Sequence, residues 1–150
     1  MSTSSPDEYL GKIGPYSVAV AHWHINAWGG AEYLVTKLAE QVGTDIVVTT
    51  GEPAPSKANP YGDVQFYDVL SDLAYTPLRQ IQQQIDRVFE YAFWEDVDWR
   101  KYGDPDVLIT SGATPRSVIT PDHTLHVNYC HSPPRWFYDQ YHDRKDSLVG

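Results

Sequence analysis

Two short apolar segments, YSVAVAH at residues 16–22 and DIVVTT at 45–50, flank a helical stretch. That order constrains the fold more than any other feature of the chain. Neither segment alternates polar with apolar residues, as expected of strands covered on both faces. Between them, in AEYLVTKLAEQV, Leu34, Val35, Leu38 and Val42 recur at spacings of three and four, which predicts a helix with one face inward. Gly43 follows as the stop. Strand, loop, helix and strand within about 35 residues form a βαβ unit and imply a parallel sheet with right-handed crossovers. The fold class expected is α/β, a Rossmann-like doubly wound parallel sheet.

The rest of the chain extends this pattern. GEPAPSKANPYGD reads as a loop and VQFYDVL as an edge strand. Leu78, Ile81, Ile85, Val88 and Ala92 step by three or four, predicting a long amphipathic helix that ends in Phe93, Trp94 and Trp99. DVLITSG and HTLHVNYCH are two further strands. A length of 150 residues suits one domain and not two. Residues 1–15 read as a flexible lead-in and 16–150 as the domain. The chain stops soon after a strand and its loop, where a doubly wound domain would continue with a covering helix. This reads as an incomplete domain, a truncated product or one piece of a larger protein.

Charge and cysteine content narrow the function classes. With 20 Asp and Glu against 11 Lys and Arg, the net charge is −9. Such a surface repels nucleic acid and anionic lipid, so a phosphate-bearing partner needs a locally favourable site. A single cysteine, Cys130, excludes an internal disulfide and points to a reducing compartment. The polar start MSTSSPDEYL has no hydrophobic signal region, and no apolar run approaches the roughly 20 residues of a membrane span. A cytoplasmic location is expected.

Three segments carry candidate chemistry. Gly29-Gly30 lies between a strand's carboxyl end and a helix N-terminus, where open α/β sheets bind ligands and unpaired N–H groups attract phosphate. Trp28 to Ala31 could receive that phosphate, or the glycines could serve only a tight turn and close helix packing. The pattern G-x-G-x-x-G is absent, which disfavours a dinucleotide despite Glu52 after the second strand. His22 and His24 in HWH would share a face on an extended strand, but no third metal ligand is evident. NYCHSPPRWFYD is the densest candidate: His131 at a strand end, Ser132, a stiff Pro133-Pro134 exit, the Arg135 fork, and Trp136, Phe137 and Tyr138 to line a groove for sugar or lipid. The same residues could equally form a proline-rich connection with core aromatics. Cys130 and His131 are a poor nucleophile–base pair, because neighbouring strand residues point to opposite faces.

HINAWGGAEYLVTKLAE and VNYCHSPPRWFYD, in this order, resemble the N-terminal domain of family 4 glycosyltransferases of the GT-B fold. The likeness covers roughly residues 16–141 on this reading of strands and loops. It implies an acceptor-binding half of a retaining enzyme that moves a sugar from a nucleotide-sugar donor to a glycan or lipid-linked acceptor. It implies that Gly29, Gly30 and Ala31 approach the donor diphosphate and that His131 lies against the transferred sugar. His24, Trp28, Ser132, Arg135 and Tyr138 would shape the acceptor and sugar side. No cofactor or metal is expected, the nucleotide sugar being a substrate. The family's second domain carries a spaced pair of glutamates and the basic residues that hold the donor, and 150 residues leave no room for it. The chain alone is therefore expected to be inactive without a separate C-terminal domain. Glu32 and Glu40 repeat the glutamate spacing on the first helix, where they are expected on a solvated face. The alternative is a stand-alone sugar-phosphate or carbohydrate-binding module without transferase activity. Arg79 and Arg87 are offset by Asp86 and Glu90, so membrane contact is expected to be peripheral at most.

Overall fold

The computed structural model describes residues 5–25, 27–50, 58–69 and 86–131. Among these residues six strands form one sheet: β1 (Gly11–Ile13), β2 (Tyr16–His22), β3 (Ile46–Thr49), β4 (Gln65–Asp68), β5 (Val107–Ser111) and β6 (Leu125–Tyr129). The order β4-β3-β2-β5-β6 is parallel throughout, and β1 joins β2 antiparallel. From β2 the chain winds outward through β3 and β4, then returns to β2's other edge as β5 and continues to β6. The direction therefore reverses between β2 and β5, which places their carboxyl ends at the crevice where such sheets take ligands. In register, His22 lies opposite Ser111 there.

The sequence explains the two layers. Val18, Ala19, Val20 and Ala21 are fully buried because both faces of β2 are covered. Helix α1 (Gly30–Val42) lays Val35, Ala39 and Val42 against Val18, Val20, Val47 and Ile109. It ends as predicted at Gly43, with φ 78°. Thr44 N–H donates to Ala39 O and Gly43 N–H to Glu40 O, the paired bonds of a Schellman end. On the opposite face α2 (Asp86–Glu95) and a 3-10 turn (Trp99–Tyr102) supply Trp94, Trp99 and Tyr102. The Trp94 and Trp99 rings stack 6.5 Å apart. Residues 78–85 of the long predicted helix lie outside the described residues, and Trp99 belongs to the separate turn, not to the helix.

Residues 6–13 are not a flexible lead-in. Pro6–Tyr9 form a 3-10 turn and Gly11–Ile13 add a strand to β2. Tyr9 is 4% exposed and meets Tyr67 and Tyr102 edge to face at 5.6 and 5.1 Å. Thr44 donates its hydroxyl to Tyr9 O. One buried aromatic and a three-residue strand leave no period in the sequence to mark this structure. A Cβ on Gly11 would run into the Val42 carbonyl, so glycine lets β1 pass the end of α1.

Strand β6 also differs from a buried strand. Leu125, Val127 and Tyr129 are exposed, because β6 is the sheet's edge and none of the described residues covers that face.

Candidate functional site

At the β2–β5 crevice four side chains from four elements form a continuous hydrogen-bonded chain. His22, fully buried at the end of β2, has Nε2 3.3 Å from Glu32 Oε1 and Nδ1 3.0 Å from Ser111 Oγ. Ser111, fully buried at the end of β5, has the same Oγ 2.7 Å from Nε2 of His131, two residues past β6. Glu32 returns its other oxygen to the loop, accepting from Gly29 N–H at 2.9 Å. Burial alone would raise the Glu32 carboxyl, but His22 and the backbone N–H groups of Glu32 and Gly29 outweigh it and hold it below the ordinary glutamate value. His131 as a residue is exposed, yet partial desolvation and the neighbouring His22 push its ring below the ordinary imidazole value, with Glu32 pulling the other way.

Glu32 thus corrects the expectation of a solvated face. It is 7% exposed and sits in the third position of α1, where a glutamate can reach back to cap the helix start. Glu40, seven residues beyond, is exposed and pairs with Lys37.

Gly29 and Gly30 do not serve a left-handed turn. Gly29 is extended, with φ −132° and ψ −161°, and neither residue has a positive φ. A Cβ on Gly30 would meet nothing within 4 Å. The Gly29 amide is taken by Glu32, which leaves the amides of Gly30 and Ala31 without a partner among the described residues. Open space and two donors without a partner among the described residues, at a helix start, are what an anion's oxygens need.

No family model, curated protein or solved structure matches this chain.

His24 does not share a ligand with His22. Its Nδ1 lies 3.1 Å from Glu90 Oε2, a carboxylate 4% exposed that also accepts from the hydroxyls of Thr50 at 2.9 Å and Thr114 at 2.8 Å. Burial opposes the Glu90 charge, but His24 and the two threonines hold its carboxyl below the ordinary value. The two histidines serve different carboxylates because β2 ends at His22 and His24 lies beyond the strand. Among the described residues no three His, Cys, Asp or Glu side chains are grouped to hold a metal.

Trp28 packs edgewise on Phe66 at 5.5 Å and on Tyr61 at 6.3 Å. With Asn59, Asp63, Gln65 and Phe66 it lines an open cavity of about 460 Å³ beside β4. Its indole N–H is buried without a hydrogen-bond partner among the described residues. Ser132, Arg135 and Tyr138, like Glu52, lie outside the described residues. Cys130 is exposed, and no described helix is long and apolar enough to cross a membrane.

The sequence reading brought His131 and the Gly29–Ala31 segment to one rim. It missed Ser111, Glu32, Glu90 and the Thr50–Thr114 pair. Ser111 could have been found from its place at a strand's carboxyl end before Gly112, and Glu32 from its position three residues after Gly29. Glu90 carried no signal, since its partners are 40 and 24 residues away.

Proposed function

We propose that the chain is the acceptor-side, N-terminal half of a retaining GT-B glycosyltransferase. It would move a sugar from a nucleotide-sugar donor to a glycan or lipid-linked acceptor on the cytoplasmic side, completed by a separate C-terminal donor domain. The observation that carries this reading is the shared rim: the open amides of Gly30 and Ala31 and the exposed imidazole of His131 stand at the β2–β5 crevice, joined through Glu32, His22 and Ser111. A diphosphate that gains charge as it leaves is stabilised by fixed N–H dipoles aimed at it, and an imidazole on the same rim can meet the sugar. These donors need no positive side chain, which suits a protein of net charge −9. On this reading the chain has no nucleic-acid partner, touches membrane at most peripherally, and needs no metal or cofactor.

Isothermal calorimetry with nucleoside-diphosphate sugars and with polyprenyl-phosphate sugars tests it. Binding that weakens on His131→Ala, with negligible transfer by the chain alone and transfer restored by an added donor domain, is the expected result. Ordinary turnover by the pure chain, or no binding of either class even with the donor domain added, would refute it.

The cavity beside Trp28 favours a second reading, a carbohydrate-binding module without transferase activity. Aromatic faces and nearby amide and carboxylate groups suit a hydroxylated ring. Free-sugar binding abolished by Trp28→Ala and indifferent to His131→Ala would select it.

A further inference from the structure

The chain from Glu32 to His131 has a direction. The ionised Glu32 carboxylate can only accept, so the proton between it and His22 sits on His22 Nε2. When both rings are uncharged, His22 Nδ1 is an acceptor and takes the Ser111 hydroxyl proton. The Ser111 oxygen, its proton committed, accepts from His131 Nε2–H. Every bond points toward the carboxylate. The geometry points to Ser111, His22 and Glu32 as positioning residues that hold His131 in the Nε2–H form, with Nδ1 as its one basic nitrogen.

Among the described residues few other groups face the His131 ring. Tyr129 lies against it at 4.8 Å between centroids, Ser111 and His22 approach from β5 and β2, and Glu32 from α1. His131 Nδ1 has no partner among the described residues, so among these only the buried chain bears on which nitrogen is basic. A buried serine between two histidines is otherwise hard to explain: at 0% exposure Ser111 cannot itself reach a substrate. The inference rests on His131 being the site's imidazole, but its test needs neither substrate nor donor domain.

Long-range proton–nitrogen correlation spectra of the 15N-histidine-labelled protein read each ring's protonated nitrogen. At about pH 8 an imidazole of ordinary pKa near 6.5 is uncharged. His131, identified by loss of its signals in His131→Asn, should show a protonated Nε2 and a bare Nδ1. In Glu32→Gln the amide oxygen keeps the Gly29 N–H and the amide N–H₂ faces His22, so every bond reverses and the two His131 nitrogen signals interchange. In Ser111→Ala the chain is cut and His131 shows averaged signals of both forms. His123, paired with Asp104 on the surface, is the control and should not move. A protonated Nδ1 on His131 in the unmodified protein would overturn the inference without any variant. So would Glu32→Gln and Ser111→Ala proteins that fold and leave the His131 pattern unchanged. Failure here with intact nucleotide-sugar binding would leave the proposed function standing, and the reverse outcome would leave the relay standing.

Discussion

Replacing Gly30 with alanine separates a glycine kept for a turn from one kept for a ligand. Gly30 is the first residue of α1, has no positive φ, and would place its new Cβ in open space. A glycine-to-alanine change at a compatible position stabilises by about 0.4–1 kcal/mol, mainly by narrowing the unfolded ensemble. For a chain of this size, with roughly 2–4 °C per kcal/mol, the melting temperature should rise by about 1–4 °C. A phosphate oxygen bonded to the Gly30 and Ala31 amides would sit about 3 Å from them, beside the added methyl. Overpacking of about 1–3 kcal/mol then weakens nucleoside-diphosphate-sugar binding roughly 5- to 150-fold. Scanning calorimetry and isothermal titration read the two effects separately. A loss of more than about 1 kcal/mol of stability would show that Gly30 serves the backbone after all. A stabilised variant with unchanged affinity would refute the claim that the space is used. Gly29→Ala is a poorer probe, because its Cβ would press on Glu32 Oε2 at 3.3 Å and disturb the carboxylate itself.

Gly112→Ala should behave in the opposite way. Its φ is +102° and its Cβ would lie 2.7 Å from Trp23 Cγ, so backbone strain of about 1–2 kcal/mol and overpacking of about 1–3 kcal/mol lower the urea midpoint. An unchanged midpoint would mean that Trp23 does not pack there. Glu90→Gln removes charge-assisted bonds from Thr50, Thr114 and His24 and should lower stability by about 2–3 kcal/mol at neutral pH. Because the folded Glu90 carboxyl lies below its ordinary 4.5, its stabilisation is complete above that value and is lost as the pH falls through it toward the lower folded value. The gap between the two proteins in urea denaturation should therefore close on acidification, and a gap independent of pH would contradict the assignment. Tyr9→Ala should remove about 3 kcal/mol and lower the melting temperature by roughly 6–12 °C, whereas a detached N-terminal segment would leave it unmoved.

The central layer was legible because each element carries its own period. Residues 18–21 are an unbroken apolar run and the α1 segment has a three-and-four spacing ending in glycine, so strand, helix and parallel order follow from local chemistry. The edge assignment of β4 followed in the same way. Long-range partnership has no such local record. Tyr9 finds Tyr102, Glu90 finds Thr50 and Thr114, and Ser111 meets His22 only once β2 and β5 lie side by side, 89 residues apart in the chain. The same holds for Glu32: helix angle alone put it outside, and the buried imidazole of His22 together with the Gly29 amide drew it in. Periodicity decided which faces are apolar; which polar atoms are then forced to pair inside was decided by tertiary packing, because a buried donor or acceptor must take whatever partner the fold brings within reach.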